Sequence, residues 1–252
     1  MPLLELLAAV SHLHTAGTPP PHKYSTASHP PPTSPDPTLT TPPSAKAASE
    51  NNNATAQGRL PAARPTPAAE LARLTLNLRS SLRQFPDFPS PGILFEDILP
   101  IFANPSLHAD LIRALELHVL DTFGAGGVDV VVGLEARGFL FGPSLALRVG
   151  AAFVPVRKMG KLPGECVREG YVKEYGTDWF EMQGDAVKAG QRVVVVDDII
   201  ATGGSAAAAG SLVKKLGGTL LEYVFMLELD FLKGREKLDA PVYTLLSSQE
   251  KK

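Results

Sequence analysis

Val193-Val194-Val195-Val196-Asp197-Asp198-Ile199-Ile200-Ala201-Thr202-Gly203-Gly204-Ser205 is the stretch on which the reading of this chain turns. Four β-branched residues predict a short buried strand, and two adjacent carboxylates follow it. A turn of small residues comes next, and from Ser205 a helical pattern begins. In open α/β sheets ligands bind beyond the carboxyl ends of the strands, where these acids stand. Acids there can accept hydrogen bonds from ribose hydroxyls, and a glycine-rich turn opening a helix can offer backbone N–H groups to a phosphate. The glycines are adjacent rather than spaced Gly-x-Gly-x-x-Gly, which disfavours a dinucleotide fingerprint. The residues by themselves also allow a capped turn with solvated acids.

The surroundings of this string alternate in the manner of an α/β layer fold. Strands are expected at Val128–Gly133, Phe153–Val156, Val193–Val196 and Leu220–Leu227, with an edge strand at Val242–Leu246. Helices are expected at Gly138–Val149 and Ser205–Leu216, the second alanine-rich and ending in Lys214, Lys215 and Gly217. This order predicts an open, mainly parallel sheet flanked by helices, with right-handed crossovers. Upstream, Leu71, Leu74, Leu78 and Leu82 recur at helical spacing. Phe85–Gly92 is expected to end that helix as a stiff loop, Ile93–Phe95 to form a short strand, and Leu107–Phe123 an amphipathic helix.

Before Ala68 the composition changes. Fourteen of the 23 prolines lie at or before Pro67, and that stretch holds seven charged side chains. Residues 1–67 are therefore expected to be a disordered Pro/Ser/Thr/Ala-rich tail, and 68–252 the folded domain. Leu3–Val10 carries Glu5 and no Lys or Arg before Lys23, unlike a secretory or mitochondrial leader. The formal net charge of −2 offers no basic field for nucleic acid. No apolar run is long enough to span a bilayer. Cys166 is the one cysteine, which excludes an internal disulfide and fits a reducing, cytoplasmic setting.

The Val193–Ser205 string resembles the phosphoribosyl pyrophosphate motif of the type I phosphoribosyltransferases. Four further segments follow the order of the adenine-specific branch: Phe85–Phe95, Gly133–Gly142, Arg157–Gly164 and Glu174-Tyr175-Gly176. The resemblance runs from about Glu70 to about Leu246 and leaves the Pro-rich tail outside. It implies that fold, with an N-terminal hood over the site. It further implies transfer of 5-phosphoribosyl to adenine, giving AMP and pyrophosphate, with Mg²⁺ held through the substrate rather than by a protein cage. Departure of a strongly anionic group from C1 demands charge neutralisation, a held ribose and an oriented purine.

By that resemblance, Arg137 and Lys158 would grip pyrophosphate. Asp197 and Asp198 would take the ribose hydroxyls. Ala201, Thr202, Gly203, Gly204 and Ser205 would cradle the 5′-phosphate. Glu174 would handle the purine proton near N7, with Arg137 beside it in the catalytic set. Adenine would lie between Phe95 and Ile200, its 6-amino edge read by backbone groups around Leu94 and Glu96. Met159–Tyr175, with Lys161 and Tyr175, would form a mobile lid that excludes water. Other readings stay open at single positions: Arg137 as a surface helix cap, Phe95 as ordinary core, Arg157 and Lys161 as solvated charges, Tyr175 as simple packing at the lid edge. The wording Glu165–Gly170 and Trp179 depart from the family and bear on the lid. The family is usually a homodimer, with small-molecule substrates and neither nucleic acid nor membrane as partner. The alternatives are another purine base as acceptor, a regulator sensing phosphoribosyl pyrophosphate, or an inactive scaffold. The tail has few basic residues and no helix-turn-helix pattern, which counts against a regulator.

Overall fold

The computed structural model describes residues 65–88, 91, 94–173 and 176–246. Helix α1 (Pro67–Ser81) opens where the sequence supplies a start signal. The Thr66 side chain accepts from the Ala69 N–H, Pro67 occupies the first turn, and Glu70 meets the positive end of the helix dipole. Its Leu74 and Leu78 are buried. Strands β1 (Arg83–Pro86) and β2 (Leu94–Asp97) then form an antiparallel ribbon that pairs Phe85 with Phe95 and Gln84 with Glu96. The expected stiff loop is thus extended at its start. The ladder to β2 satisfies its backbone, and Arg83 closes it by donating to Asp97. Helix α2 (Leu99–Ala103) leads into α3 (Pro105–Phe123). The latter begins two residues earlier than the apolar pattern suggests, because the Asn104 side chain caps Ser106 and Leu107 and Pro105 fits the first turn.

Among the described residues the main sheet has seven strands, β3 (Val130–Leu134), β4 (Ala152–Lys158), β5 (Cys166–Lys173), β6 (Gly176–Gln183), β7 (Arg192–Ile200), β8 (Thr219–Glu228) and β9 (Val242–Leu246), in the order β5-β6-β4-β3-β7-β8-β9. Strands β3, β4, β7, β8 and β9 run parallel. Side-chain alternation sends Val194 and Val196 into one apolar core with residues of α1, α3 and α4 (Gly142–Val149). Val193 and Val195 enter a second core with α5 (Gly204–Lys215). Both faces being covered, the strand reads as the continuous valine run seen in the sequence. The helix expected at Gly138–Val149 is interrupted. Arg137–Leu140 makes a tighter 3-10 turn, and α4 starts afresh with Pro143 in its first turn.

The segment expected as a lid contains the first strand of a hairpin. Strand β5 (Cys166–Lys173) pairs over its whole length with β6 (Gly176–Gln183), and β6 adds antiparallel to β4 through Arg157↔Glu181 and Lys158↔Phe180. Tyr171 lies against Phe180 with ring centroids 4.7 Å apart, and Phe180 and Met182 enter the second core. Those contacts tie the hairpin to the sheet. Among the described residues no helix is long and apolar enough to cross a membrane.

Candidate active site

The site forms at the carboxyl edge of β3, β4 and β7. Strand β7 does not stop at Val196 but continues through both acids to Ile200, so Asp197 and Asp198 are part of the ladder with β8. Glycines let the turn after β3 lie on top of them. A Cβ on Gly138 would come within 2.7 Å of the Val196 carbonyl, so only glycine lets the turn sit this close. That approach brings Arg137 to Asp198, with Nε 2.8 Å from Oδ2. Asp198 is buried and Asp197 half-buried, its Oδ1 accepting from the Asp198 N–H at 2.9 Å. Burial raises both carboxyls above the ordinary aspartate range, and the neighbouring Asp198 charge pushes Asp197 further, while Arg137 opposes the rise. The site therefore holds two crowded acids, one of them paired with a half-exposed guanidinium.

Beyond Ile200 the chain turns through Ala201–Gly203 into α5. Gly203 has φ +77°, and the helix start has no side-chain cap, leaving first-turn N–H groups for another acceptor. The turn is backed by a segment that sequence reasoning passed over. A Cβ on Gly203 would lie 2.3 Å from the Gly234 carbonyl, and one on Gly234 would lie 2.2 Å from the Ala201 carbonyl. Two backbones thus touch without side chains between them. Gly234 is fixed in turn because Arg235 donates to the buried Glu228 at the end of β8, its Nε lying 2.7 Å from Oε1. The only trace in the sequence is an isolated Lys233-Gly234-Arg235, which carries no phosphate signature of its own.

At the end of β4 the cations sort themselves. Arg157 donates to both oxygens of Glu135 at 3.2 and 3.1 Å, and the Lys158 N–H reaches Glu135 Oε2 at 3.1 Å. Burial works against ionisation of Glu135, yet Arg157 and the Lys158 N–H hold its carboxyl below the usual glutamate range. Among the described residues neither the Lys158 nor the Lys161 ammonium forms a close ion pair, although the Lys158 charge helps to lower Glu135. The peptide between Glu135 and Ala136 is cis.

In the ribbon, Phe95 belongs to neither apolar core and packs edge-on against the half-exposed Phe88, centroids 5.1 Å apart. Leu94 precedes it, half-buried. The Glu96 side chain turns away into the ribbon, accepting from Gln84 at 3.2 Å, with Arg79 3.9 Å away. Ile200 is buried at the end of β7 in the second core. Glu174 and Tyr175 lie outside the described residues. The structure therefore brings Arg137, Asp197, Asp198 and the 201–205 turn together at one strand end, and Lys158 at the end of the strand after β3. It places Phe95 on a separate two-stranded ribbon.

A mainly parallel sheet with paired acids and an uncapped helix start at one strand end is the arrangement expected of the phosphoribosyltransferase class. The phosphoribosyl transferase domain family matches residues 100–252. Adenine phosphoribosyltransferase of Yarrowia lipolytica is 65% identical over 180 residues, covering 71% of this chain and 99% of that protein. Adenine phosphoribosyltransferase 1 of Saccharomyces cerevisiae is 60% identical over 180 residues, 71% of this chain and 96% of its own. A crystal structure of the Saccharomyces cerevisiae enzyme, complexed with an imino-altritol bisphosphate and adenine, superposes with a TM-score of 0.68 at 62% identity, covering 69% of this chain and 99% of that one. The Trypanosoma brucei enzyme, in complex with AMP, pyrophosphate and ribose-5-phosphate, gives 0.61 at 26% identity over 69% of this chain and 79% of its own. The chain belongs to the adenine phosphoribosyltransferase family of type I phosphoribosyltransferases.

Proposed function

We propose that the chain transfers 5-phosphoribosyl from phosphoribosyl pyrophosphate to adenine, giving AMP and pyrophosphate in purine salvage. The observation that carries this reading is the Arg137–Asp198–Asp197 group standing at the head of the uncapped Ala201–Ser205 turn. The 5′-phosphate is held by the N–H groups of Thr202–Ser205 with the Thr202 and Ser205 hydroxyls beside them. Asp197 takes a ribose hydroxyl. An arriving pyrophosphate competes with Asp198 for the Arg137 guanidinium, and Asp198 is then released to the second hydroxyl. Lys158, at the end of β4, completes the neutralisation of the leaving group.

As the C1–O bond to pyrophosphate breaks, the sugar gains positive charge and N9 of adenine bonds to C1. Phe95 offers a face to the purine, the backbone at Leu94 and Glu96 reads its amino edge, and Ile200 closes the opposite side. Glu174 is assigned the proton near N7, and Lys161 and Tyr175 the mouth of the site. Two carboxylate oxygens beside an anion cradle suit a hard cation. Mg²⁺ is assigned mainly to the substrate phosphates, because it keeps phosphate oxygens and waters in preference to an all-protein cage. Mg²⁺ bound there would supply neutralising charge to the pyrophosphate.

We assign the active form to a homodimer in the cytoplasm. Leu140 and the strongly exposed Leu147, both on the segment after β3, are the apolar surface that a second copy would cover. Sedimentation at micromolar concentration would then give twice the chain mass, and a monomer of full activity would refute the assignment. The activity itself is tested with labelled adenine, phosphoribosyl pyrophosphate and Mg²⁺. AMP should form, with hypoxanthine and guanine reacting at least ~100-fold less well if a buried hydrogen-bonding edge reads the base. No AMP, or equal use of hypoxanthine, overturns the reading.

A further inference from the structure

Glu181 is a nearly fully buried carboxylate that the reaction described above does not use; it is 1% exposed. It stands on β6 opposite Arg157 of β4. Its Oε1 accepts two backbone N–H groups, from Lys161 at 2.9 Å and Leu162 at 3.0 Å, and its Oε2 faces Arg168 Nε at 3.4 Å. Burying a carboxylate is unfavourable unless hydrogen bonds replace its hydration, and here they come from the loop between β4 and β5. That loop carries two positive-φ glycines, Gly160 and Gly164, so its own backbone does little to fix its shape. Its other hydrogen bonds fall at Lys161 and on either side of it. The Met159 N–H reaches the Trp179 carbonyl at 3.0 Å, Arg157 reaches the Lys161 carbonyl at 3.2 Å, and the Gln183 amide reaches the Pro163 carbonyl at 3.2 Å.

The charges around it are divided by type. Arg157 is committed to Glu135, and Arg168 to Glu181. Among the described residues Lys158 and Lys161, which flank the loop's first turn, form no close ion pair, Lys158 acting on Glu135 only at longer range. A carboxylate that engages backbone N–H groups fixes the loop without consuming the lysines. Although burial works against it, the Leu162 and Lys161 N–H groups and the Arg168 guanidinium hold Glu181 below the usual glutamate range, so it stays charged at neutral pH.

We propose that Glu181 is a positioning residue for the leaving group: it holds the Lys161–Leu162 backbone so that Lys158 and Lys161 are presented together to pyrophosphate. This rests on the reading that the end of β4 takes pyrophosphate. The test uses the full chain and measures kcat, the KM of each substrate, the Ki of pyrophosphate and the melting temperature. In Glu181→Gln the KM of phosphoribosyl pyrophosphate and the Ki of pyrophosphate rise on the order of tenfold, the effect expected of misplaced contacts. The adenine KM stays within about twofold, and in a Lys158→Ala background the same change adds little, because both act on one subsite. A folded Glu181→Gln protein with unchanged pyrophosphate Ki overturns the proposal, as does a uniform loss in every parameter. Arg168→Met, which removes an exposed partner and keeps the carboxylate, covers the case of Glu181 variants that do not fold. It should raise the pyrophosphate Ki roughly threefold, in line with partial loss of one anchor, and no change there also overturns the proposal. Lys158→Ala separates the two levels. An unchanged Ki in Lys158→Ala with a raised Ki in Glu181→Gln overturns the joint presentation, because Lys158 then makes no contact with pyrophosphate. The reverse pattern removes Glu181 and leaves the pyrophosphate reading intact.

Discussion

Asp197 and Asp198 crowd two acids into a buried strand end, an arrangement that works against folding and is useful only when something arrives to relieve it. A carboxyl whose pKa is raised on folding makes the folded state lose stability as pH climbs past the unfolded value, and Asp197 is raised by burial and by Asp198. Asp197→Asn should therefore raise the melting temperature at neutral pH by roughly 2–4 °C while abolishing most of the turnover. Melting curves at acidic and neutral pH check it: the gain should shrink as the pH falls into the range where Asp197 is protonated in both states. Arg137→Ala acts in the opposite sense on stability, since it strips the buried pair of its cation. It should lower turnover on the order of 10²–10³, the cost of losing a donor aimed at developing charge. Unchanged steady-state turnover would remove Arg137 from the chemistry. These residues were legible in the sequence because two acids after a valine run are conspicuous. Glu135, Glu181 and Glu228 were not, since a carboxylate that shapes a loop through backbone N–H groups or an arginine has the same one-letter appearance as a solvated one.

The elements that carry the site divide by how local their causes are. Strand β7 and helix α5 follow from period and composition, and both stood out from the sequence. Strands β5 and β6 did not. Their polar, glycine-punctuated residues pair with each other and gain an apolar face only once Tyr171, Phe180 and Met182 meet the second core. β1 was hidden for the same reason, since Arg83–Pro86 is wholly exposed and extended only through its ladder with β2. The turn between β7 and α5 yields a sharper test. Gly203 combines a positive φ with a Cβ position 2.3 Å from the Gly234 carbonyl, whereas a Cβ on Gly204 would meet open space. Gly203→Ala should cost stability of about 1–3 kcal/mol, as strained backbone does, and should weaken phosphoribosyl pyrophosphate at least tenfold. Gly204→Ala should melt within about 0.5 kcal/mol of the original, as an unobstructed substitution does. Thermal melts of the two variants side by side distinguish a backbone-to-backbone contact from a general dislike of alanine.

At the scale of the whole chain, the family relatives align to some 180 residues of the 252, and the first described helix opens at Pro67 behind its Thr66 cap. Every residue assigned to the chemistry lies beyond that point. Deletion of residues 1–64 should leave kcat, both KM values and the melting temperature within error of the full chain, measured by the same AMP assay. A folded but inactive truncation would place part of the machinery in the removed segment. The fold class was readable at this scale because alternation of buried strands with helices admits few topologies, while the assignment of the purine side rests on resemblance alone, since Phe95 sits on a two-stranded ribbon that no periodicity announces. The central proposal for the molecule is that an acid pair and a helix start unite to bind one donor. A crystal structure of the full chain with phosphoribosyl pyrophosphate and Mg²⁺ tests that union most directly. It should show the ribose hydroxyls on Asp197 and Asp198, and the 5′-phosphate on the N–H groups of Thr202–Ser205. Donor density away from β7, with these residues untouched, would contradict it.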